Sequence, residues 1–229
     1  MTPFFQMEST ISGRIAQILQ TLPESVRLIA VTKQVPVSAM REAYDAGVRD
    51  FGESRIQEAE EKQTQLKDLT DVNWHLIGHL QANKAQKALQ MFDWIHSVDS
   101  LKLTQRLDRL AEQNPGKTNI LLQVKMLPDP NKYGWAVSEL LGDLQELDQC
   151  KNLNICGLMT IPPVGLEDNE ILNLFKQTQA LASTIQTQEW THLKMQELSM
   201  GMSGDYLEAA QAGATMVRLG RILFGDRPT

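Results

Sequence analysis

Lys33 closes an apolar, partly β-branched run, Leu28-Ile-Ala-Val-Thr-Lys33, and is followed by Gln34-Val-Pro36 and a helical pattern. Strand, lysine, loop, helix is the order that sets an ammonium at the carboxyl end of a barrel strand, where that fold collects its chemistry. A strand-end lysine taken alone is ordinarily just solvated. Two glycine-containing turns change its company: Gly201-Met-Ser-Gly-Asp205 and Gly220-Arg-Ile-Leu-Phe-Gly225. Each could be an ordinary turn, but both follow the last two strand candidates, where barrels hold a phosphate. Glycine lets the backbone approach an anion, helix N–H groups bind it, and Ser203 adds a hydroxyl donor. Asp205, with Glu208 three residues on, resembles a capping box. Arg218 lies inside the apolar run Met216 to Leu219, and alternation puts Met216, Arg218 and Gly220 on one face. On an interior face Arg218 needs an acceptor; an ion pair with Glu53 or Glu197 is the structural alternative to a ligand contact. A lysine plus a phosphate cradle suits a phosphorylated aldehyde, because a lysine lowered in pKa by burial condenses with a carbonyl to a Schiff base. Pyridoxal 5′-phosphate fits, with its aldehyde at Lys33, its phosphate on the glycine turns and its ring nitrogen facing the last strand.

The other candidate ligands read as packing. His75 and His79 straddle Gly78 at a strand end and lack the helical His-Glu-x-x-His spacing of a zinc site. His96 and His192 are isolated, so no metal is expected. Met159, Met200, Met202 and Met216 read as core filling, although Met200, at the head of the first glycine turn, is also counted among the cofactor-contacting residues.

The elements that must position these residues alternate along the whole chain of 229 residues. A helix over residues 9–22, stopped by Pro23, has Ile11, Ile15, Ile18, Leu19 and Leu22 on one face and is expected to cover the bottom of a barrel. Strand candidates follow at 28–33, 48–53, 73–78, 94–98, 119–124, 154–160, 193–198 and 215–220. Helices are expected over 37–46 (ended by Gly47), 56–69, 82–91, 100–113 (closed by Pro115-Gly116), 137–147, 168–187 and 205–212. Eight strands alternating with helices favour a single (β/α)8 TIM barrel with an extra N-terminal helix over a doubly wound open sheet. No linker or composition break divides residues 1–229, so one domain is expected. A net charge of −6 argues against a nucleic-acid surface, and no apolar run is long enough for a membrane span. The N-terminus has no basic stretch followed by an apolar one, and Cys150 and Cys156 cannot build a disulfide framework; both point to the cytoplasm.

Six ordered motifs carry a resemblance. Ala30-Val-Thr-Lys33, Phe51-Gly-Glu-Ser-Arg-Ile-Gln-Glu58, Trp74-His-Leu-Ile-Gly-His-Leu-Gln-Ala-Asn-Lys84, Gly157-Leu-Met-Thr160, Leu198-Ser-Met-Gly-Met-Ser203 and Arg218-Leu-Gly220 resemble, in register over residues 28–225, the pyridoxal phosphate homeostasis protein family. The resemblance implies a barrel similar to the N-terminal domain of alanine racemase, with pyridoxal 5′-phosphate on Lys33 and Arg218 facing the pyridine nitrogen. It implies that Ser203, Gly204, Gly220 and the backbone of Arg221 hold the phosphate, with Ser54 near the ring. The family usually has Asn at Ser54, Asn at Lys125 and Ser or Thr at Arg221. Loss of that last hydroxyl leaves the backbone N–H and adds a guanidinium.

The resemblance implies a non-catalytic carrier that balances intracellular pyridoxal phosphate and amino-acid pools. No residue is assigned a catalytic role. The expected partners are the cofactor and apo forms of pyridoxal phosphate-dependent enzymes, and a monomer is expected. A racemase-like enzyme is the alternative. Racemases of this fold add a β-rich domain and a partner-supplied tyrosine, and Tyr44, Tyr133 and Tyr206 sit in no such motif. A Schiff-base aldolase acting through Lys33 alone is a third reading, which a bound yellow cofactor would exclude.

Overall fold

The computed structural model describes residues 8–113, 115 and 118–225. Eight strands close into a parallel barrel: β1 (Arg27–Val31), β2 (Asp50–Glu53), β3 (Asn73–Leu76), β4 (Trp94–Val98), β5 (Asn119–Lys125), β7 (Asn154–Met159), β8 (Leu193–Ser199) and β9 (Met216–Leu219), with β9 pairing back onto β1. A two-residue strand, β6 (Trp135–Ala136), hangs on the end of β5; it is too short to leave a periodic signal. The helices are α1 (Ile11–Thr21), α2 (Val37–Asp45), α3 (Ile56–Gln65), α4 (Ala85–Met91), α5 (Leu101–Ala111), α6 (Val137–Leu147), α7 (Asp168–Gln186), α8 (Tyr206–Gln211) and α9 (Arg221–Phe224). A 3-10 turn over Ala82–Lys84 precedes α4. Gly116, expected to help close α5, lies outside the described residues.

Period-two alternation sorts the side chains. Ile29, Trp94, Leu121, Cys156, Met159 and Met216 form a small apolar cluster inside the barrel, while Val217 and Leu219 join the larger core between strands and helices. The face that carries Met216 therefore carries Arg218 inward, and the face that carries Ile29 and Val31 carries Lys33 to the mouth. The larger core runs around the barrel rather than through its centre, and the interior is shared by this small apolar cluster and by buried polar side chains such as His75, His96, Ser199 and Arg218.

The first helix does not cover the bottom of the barrel. α1 packs beside α2 and α9: Arg14 Nε donates to the Leu223 carbonyl at 2.6 Å, and Thr21 Oγ1 lies 3.4 Å from Tyr206 Oη on α8. The reason is steric. Among the described residues the helix after β9 has four residues, too few to shield its outer face, and the apolar stripe of α1, with Ile15 and Ile18 buried, fills that place in the outer ring. Among the described residues no helix is long and apolar enough to cross a membrane.

Candidate functional site

A cavity of about 660 Å³ opens at the carboxyl ends of the strands. Lys33, Ser54, Ser203, Gly204, Arg218, Gly220 and Arg221 all line it, so seven expected residues from four separate loops and strands meet in one place. Met200 does not. It follows Ser199, whose side chain faces the barrel interior, so alternation turns it outward into the helix-facing core, fully buried. Met202 takes its place on the wall, with Val31, Ile77, Ile161 and Asp205. Parity with Lys33 and His75 marks Val31 and Ile77 in the sequence; nothing local marks Ile161. Lys125 borders a separate surface groove with Met126 and Pro128, off the cavity.

Lys33 is half-buried, and the peptides on both sides of it are held from α3. Lys62 Nζ donates to the Thr32 carbonyl at 2.6 Å and to Glu53 Oε1 and Glu58 Oε1, each at 2.7 Å. Glu58 Oε1 accepts the N–H of Gln34, the one non-glycine residue with positive φ, at 60°, among the described residues. A left-handed Gln34 costs energy, and the carboxylate that receives its N–H offsets that cost. Thr32 Oγ1 donates to Glu53 Oε1 at 2.7 Å, while Glu53 Oε2 is buried without a partner. Burial pushes the Glu53 carboxyl above the usual range against the pull of Lys62 and Thr32. Burial also acts upward on Glu58, but Lys62 and the Gln34 N–H outweigh it and hold Glu58 below the usual range. A depressed carboxyl stabilises the fold above its unfolded pKa, and that contribution disappears as pH falls through its folded value. Glu58→Gln is therefore expected to lower stability by about 1 kcal/mol at neutral pH and by nearly nothing in acid. Urea unfolding of both proteins at about pH 7 and about pH 3 checks this; an equal deficit at both would mean that the charge of Glu58 does not matter.

Ser54 reaches the rim because Gly78 lets it: a Cβ on Gly78 would sit 2.2 Å from the Ser54 carbonyl oxygen. The end of the cavity beside Ser203 and Gly220 is built by two turns. Gly201 has φ of +93°, and its carbonyl accepts the Arg218 N–H at 3.0 Å, tying the first turn to β9. Ile222 N–H, in the first turn of α9, points at Ser203 Oγ at 3.5 Å. The expected capping box is not formed. Asp205 makes no side-chain cap to α8; its Oδ1 turns back to accept the Met202 N–H at 2.5 Å and braces the glycine turn. Burial pushes the Asp205 carboxyl up, opposed by the Met202 N–H and Arg218.

Arg218 pairs with neither Glu53 nor Glu197. Its Nη1 donates to Ser199 Oγ at 2.6 Å and its Nη2 to the Thr160 carbonyl at 3.0 Å. Glu53 is taken by Lys62, and Glu197 by Thr215 and Arg27. Burial lowers the Arg218 guanidinium to about 10, so it stays charged at neutral pH. At the rim, His79 Nδ1 lies 3.0 Å from Asp99 Oδ2 and its ring stacks on Tyr133, with centroids 3.6 Å apart. Lys132 donates to the carbonyls of Ile161, at 3.3 Å, and Pro162, joining two loops over the mouth. No cluster of metal-ligating side chains occurs among the described residues.

An amine at one end, a guanidinium at the base, and a glycine-serine turn beside a helix start can together hold a flat, phosphorylated aldehyde. Known proteins give the family and the fold. The alanine racemase N-terminal domain family matches residues 8–228. A pyridoxal phosphate homeostasis protein of Synechocystis is 53% identical over 212 residues, covering 93% of this chain and 96% of that protein. The Escherichia coli protein of that name is 36% identical over 209 residues, covering 90% and 87%. The structure of PipY from Synechococcus elongatus without PLP superposes with a TM-score of 0.90 at 51% identity, over 94% of this chain and all of that one. Its form with PLP bound gives 0.89 at 49%. An alanine racemase of Clostridium difficile, 14% identical with a TM-score of 0.77, shares the fold. The chain thus belongs to the pyridoxal phosphate homeostasis proteins, a family built on the alanine racemase N-terminal barrel.

Proposed function

We propose that this protein binds pyridoxal 5′-phosphate in the mouth cavity and acts as a non-catalytic carrier in pyridoxal phosphate and amino-acid homeostasis. The observation that carries the reading is the meeting of Lys33, Arg218 and the Ser203-Gly204 turn on one cavity wall system. Bound there, the cofactor supplies an aldehyde that condenses reversibly with amines. The residues of the chain do the rest. Lys33 presents its amine at the rim, held by the α3 clamp on its two flanking peptides. Ser203, Gly204, Gly220 and the Arg221 N–H receive the phosphate, and the Arg221 side chain adds a charge. Val31, Ile77, Ile161 and Met202 supply apolar walls for a ring.

Two features support carriage over catalysis. A guanidinium cannot accept a proton from a ring nitrogen, so Arg218 leaves that nitrogen an acceptor and weakens the ring as an electron sink. Racemization also needs acid–base groups on both faces, and none of Tyr44, Tyr133 and Tyr206 lines the cavity. Tyr44 donates to Asp71 on the outside, Tyr133 stacks on His79, and Tyr206 is buried in the core. The free, buried thiols of Cys150 and Cys156 suit the reducing cytoplasm, and the proposal extends to a monomer that passes cofactor to apo enzymes. Incubation with L- and D-alanine in deuterium oxide tests the central point. Cα deuterium should appear no faster than with free pyridoxal phosphate, while rapid uptake with inversion would make the protein an enzyme. Transfer to an apo pyridoxal phosphate enzyme, and the mass in gel filtration, bear on the recipient and the monomer.

A further inference from the structure

The barrel interior beneath the cavity holds a continuous line of polar side chains. It starts at Arg218 on β9, whose Nη1 donates to Ser199 Oγ on β8 at 2.6 Å. Ser199 Oγ lies 2.8 Å from His96 Nδ1 on β4, and His96 Nε2 lies 2.9 Å from His75 Nδ1 on β3. His75 Nε2 lies 2.9 Å from Asp50 Oδ1, at the first residue of β2 and so at the opposite end of the barrel. Ser199, His75 and His96 are fully buried. Asp50 is the one member whose side chain reaches water, 13% exposed, and Asn73 Nδ2 also points at its Oδ1 at 3.3 Å.

The chemistry of the two ends sets the protons between them. A guanidinium only donates, so Ser199 Oγ accepts and has its own hydrogen to give. A carboxylate only accepts, so His75 carries its hydrogen on Nε2. A neutral imidazole has one N–H; His75 Nδ1 must then accept from His96 Nε2, and His96 Nδ1 accepts from Ser199. One arrangement satisfies every link, with each donor pointing from Arg218 toward Asp50. A proton added to either ring would place two donors, or an idle hydroxyl hydrogen, in a buried link. Burial pushes both imidazoles down, His96 well below the ordinary value, which agrees with two neutral rings. The charged groups around them are Arg218 above, Asp50 and Asp93 below, and Arg27, whose guanidinium lies 4.9 Å from the ring of Trp94, which itself stacks on His75.

We propose that Ser199, His96, His75 and Asp50 form a one-directional hydrogen-bond relay that seats Arg218 against the cavity and is anchored on a carboxylate at the far end of the barrel. It rests on the reading that Arg218 faces the cofactor ring. Arg218 is buried and, although the charge of Asp205 acts on it across the cavity, it forms no direct ion pair among the described residues, so its hydrogen bonds to Ser199 and Thr160 fix its position. His96, His75 and Asp50 are then positioning residues for a site that none of them lines.

Three measurements test this. In the protein without cofactor, long-range proton–nitrogen NMR should show both buried histidines neutral, with the hydrogen on Nε2, from about pH 6 to about pH 8. Hydrogen exchange at the Arg218 guanidinium should speed up about tenfold in Asp50→Asn, which keeps the shape and removes the charge. With pyridoxal 5′-phosphate, Ser199→Ala and His96→Leu should weaken binding about tenfold and shift the visible band, and Ser199→Thr should restore both. A hydrogen on Nδ1 of either ring, or guanidinium exchange unchanged in Asp50→Asn, overturns the relay. If wild-type protein binds no pyridoxal 5′-phosphate, the cofactor reading fails by itself, and the tautomers and the exchange still decide the relay. Should His96→Leu fail to fold, Asp50→Asn, at the solvated end, carries the argument alone.

Discussion

Lys33→Ala protein, mixed with pyridoxal 5′-phosphate, shows no visible band and no borohydride-fixed pyridoxyl mass on any peptide, yet unfolds at nearly the wild-type temperature. The two outcomes come from different features. The covalent grip requires an amine, and Lys33 is the lysine of the cavity wall. Losing it should cost about a hundredfold in affinity or more, equal to about 2.7 kcal/mol. The fold is expected to survive its loss: Lys33 is half-buried, and the clamp from Lys62 and Glu58 grips the backbone of Thr32 and Gln34, which the substitution keeps. A half-exposed site of this kind changes stability by about 0.5 kcal/mol or less. A labelled peptide in the Lys33→Ala protein would place the covalent site elsewhere.

Pyridoxal without its phosphate binds about 10²- to 10⁴-fold more weakly than pyridoxal 5′-phosphate. Two charge-assisted hydrogen bonds are enough for that range, at about 1.5–3 kcal/mol each and 1.4 kcal/mol per factor of ten. The donors belong to the turns that contain Ser203, Gly204 and Gly220 and to the first N–H groups of α9. Arg221 lines the same cavity, and a guanidinium there makes the phosphate contribution more dependent on salt. Competition between the two compounds at low and high ionic strength measures both effects. Equal affinities would show that the turns do not hold phosphate.

The barrel was legible in the sequence because its signal is periodic. Every barrel strand was marked by an apolar run within about three residues of its boundaries, and the alternation that put Arg218 with Met216 and Gly220 gave the correct face. The residues that went astray depend on partners far along the chain. The ion pair of Arg218 with Glu53 or Glu197, the structural alternative to a ligand contact, is not formed, because the acceptors it meets, Ser199 Oγ and the Thr160 carbonyl, are brought close only by barrel closure. Asp205 has the spacing of a helix cap, and a nearer backbone donor, Met202, outcompetes that use. Met200 was counted at the cofactor although the same alternation, applied from Ser199, turns it outward. α1 was given the wrong place because its own stripe says that it is amphipathic and not which gap in the ring is open. The histidines show the limit best. His75 and His96 are 21 residues apart, on neighbouring strands, and nothing local tells that their rings meet.

Cys156, in the apolar cluster inside the barrel, has a bearing on selectivity between nucleophiles. Aldehydes react with thiols as readily as with amines, and a thiolate under the mouth would compete with Lys33. Burial pushes the Cys156 thiol up to about 12, with the charge of Glu197 acting the same way. At neutral pH only about one molecule in 10⁵ then carries the thiolate there. Enclosure of the sulfur among Ile29, Trp94 and Leu121 removes the reactive form as well as the access. The interior that holds a cysteine is chemically silent toward an electrophile, and the amine at the rim meets the aldehyde without a rival from below.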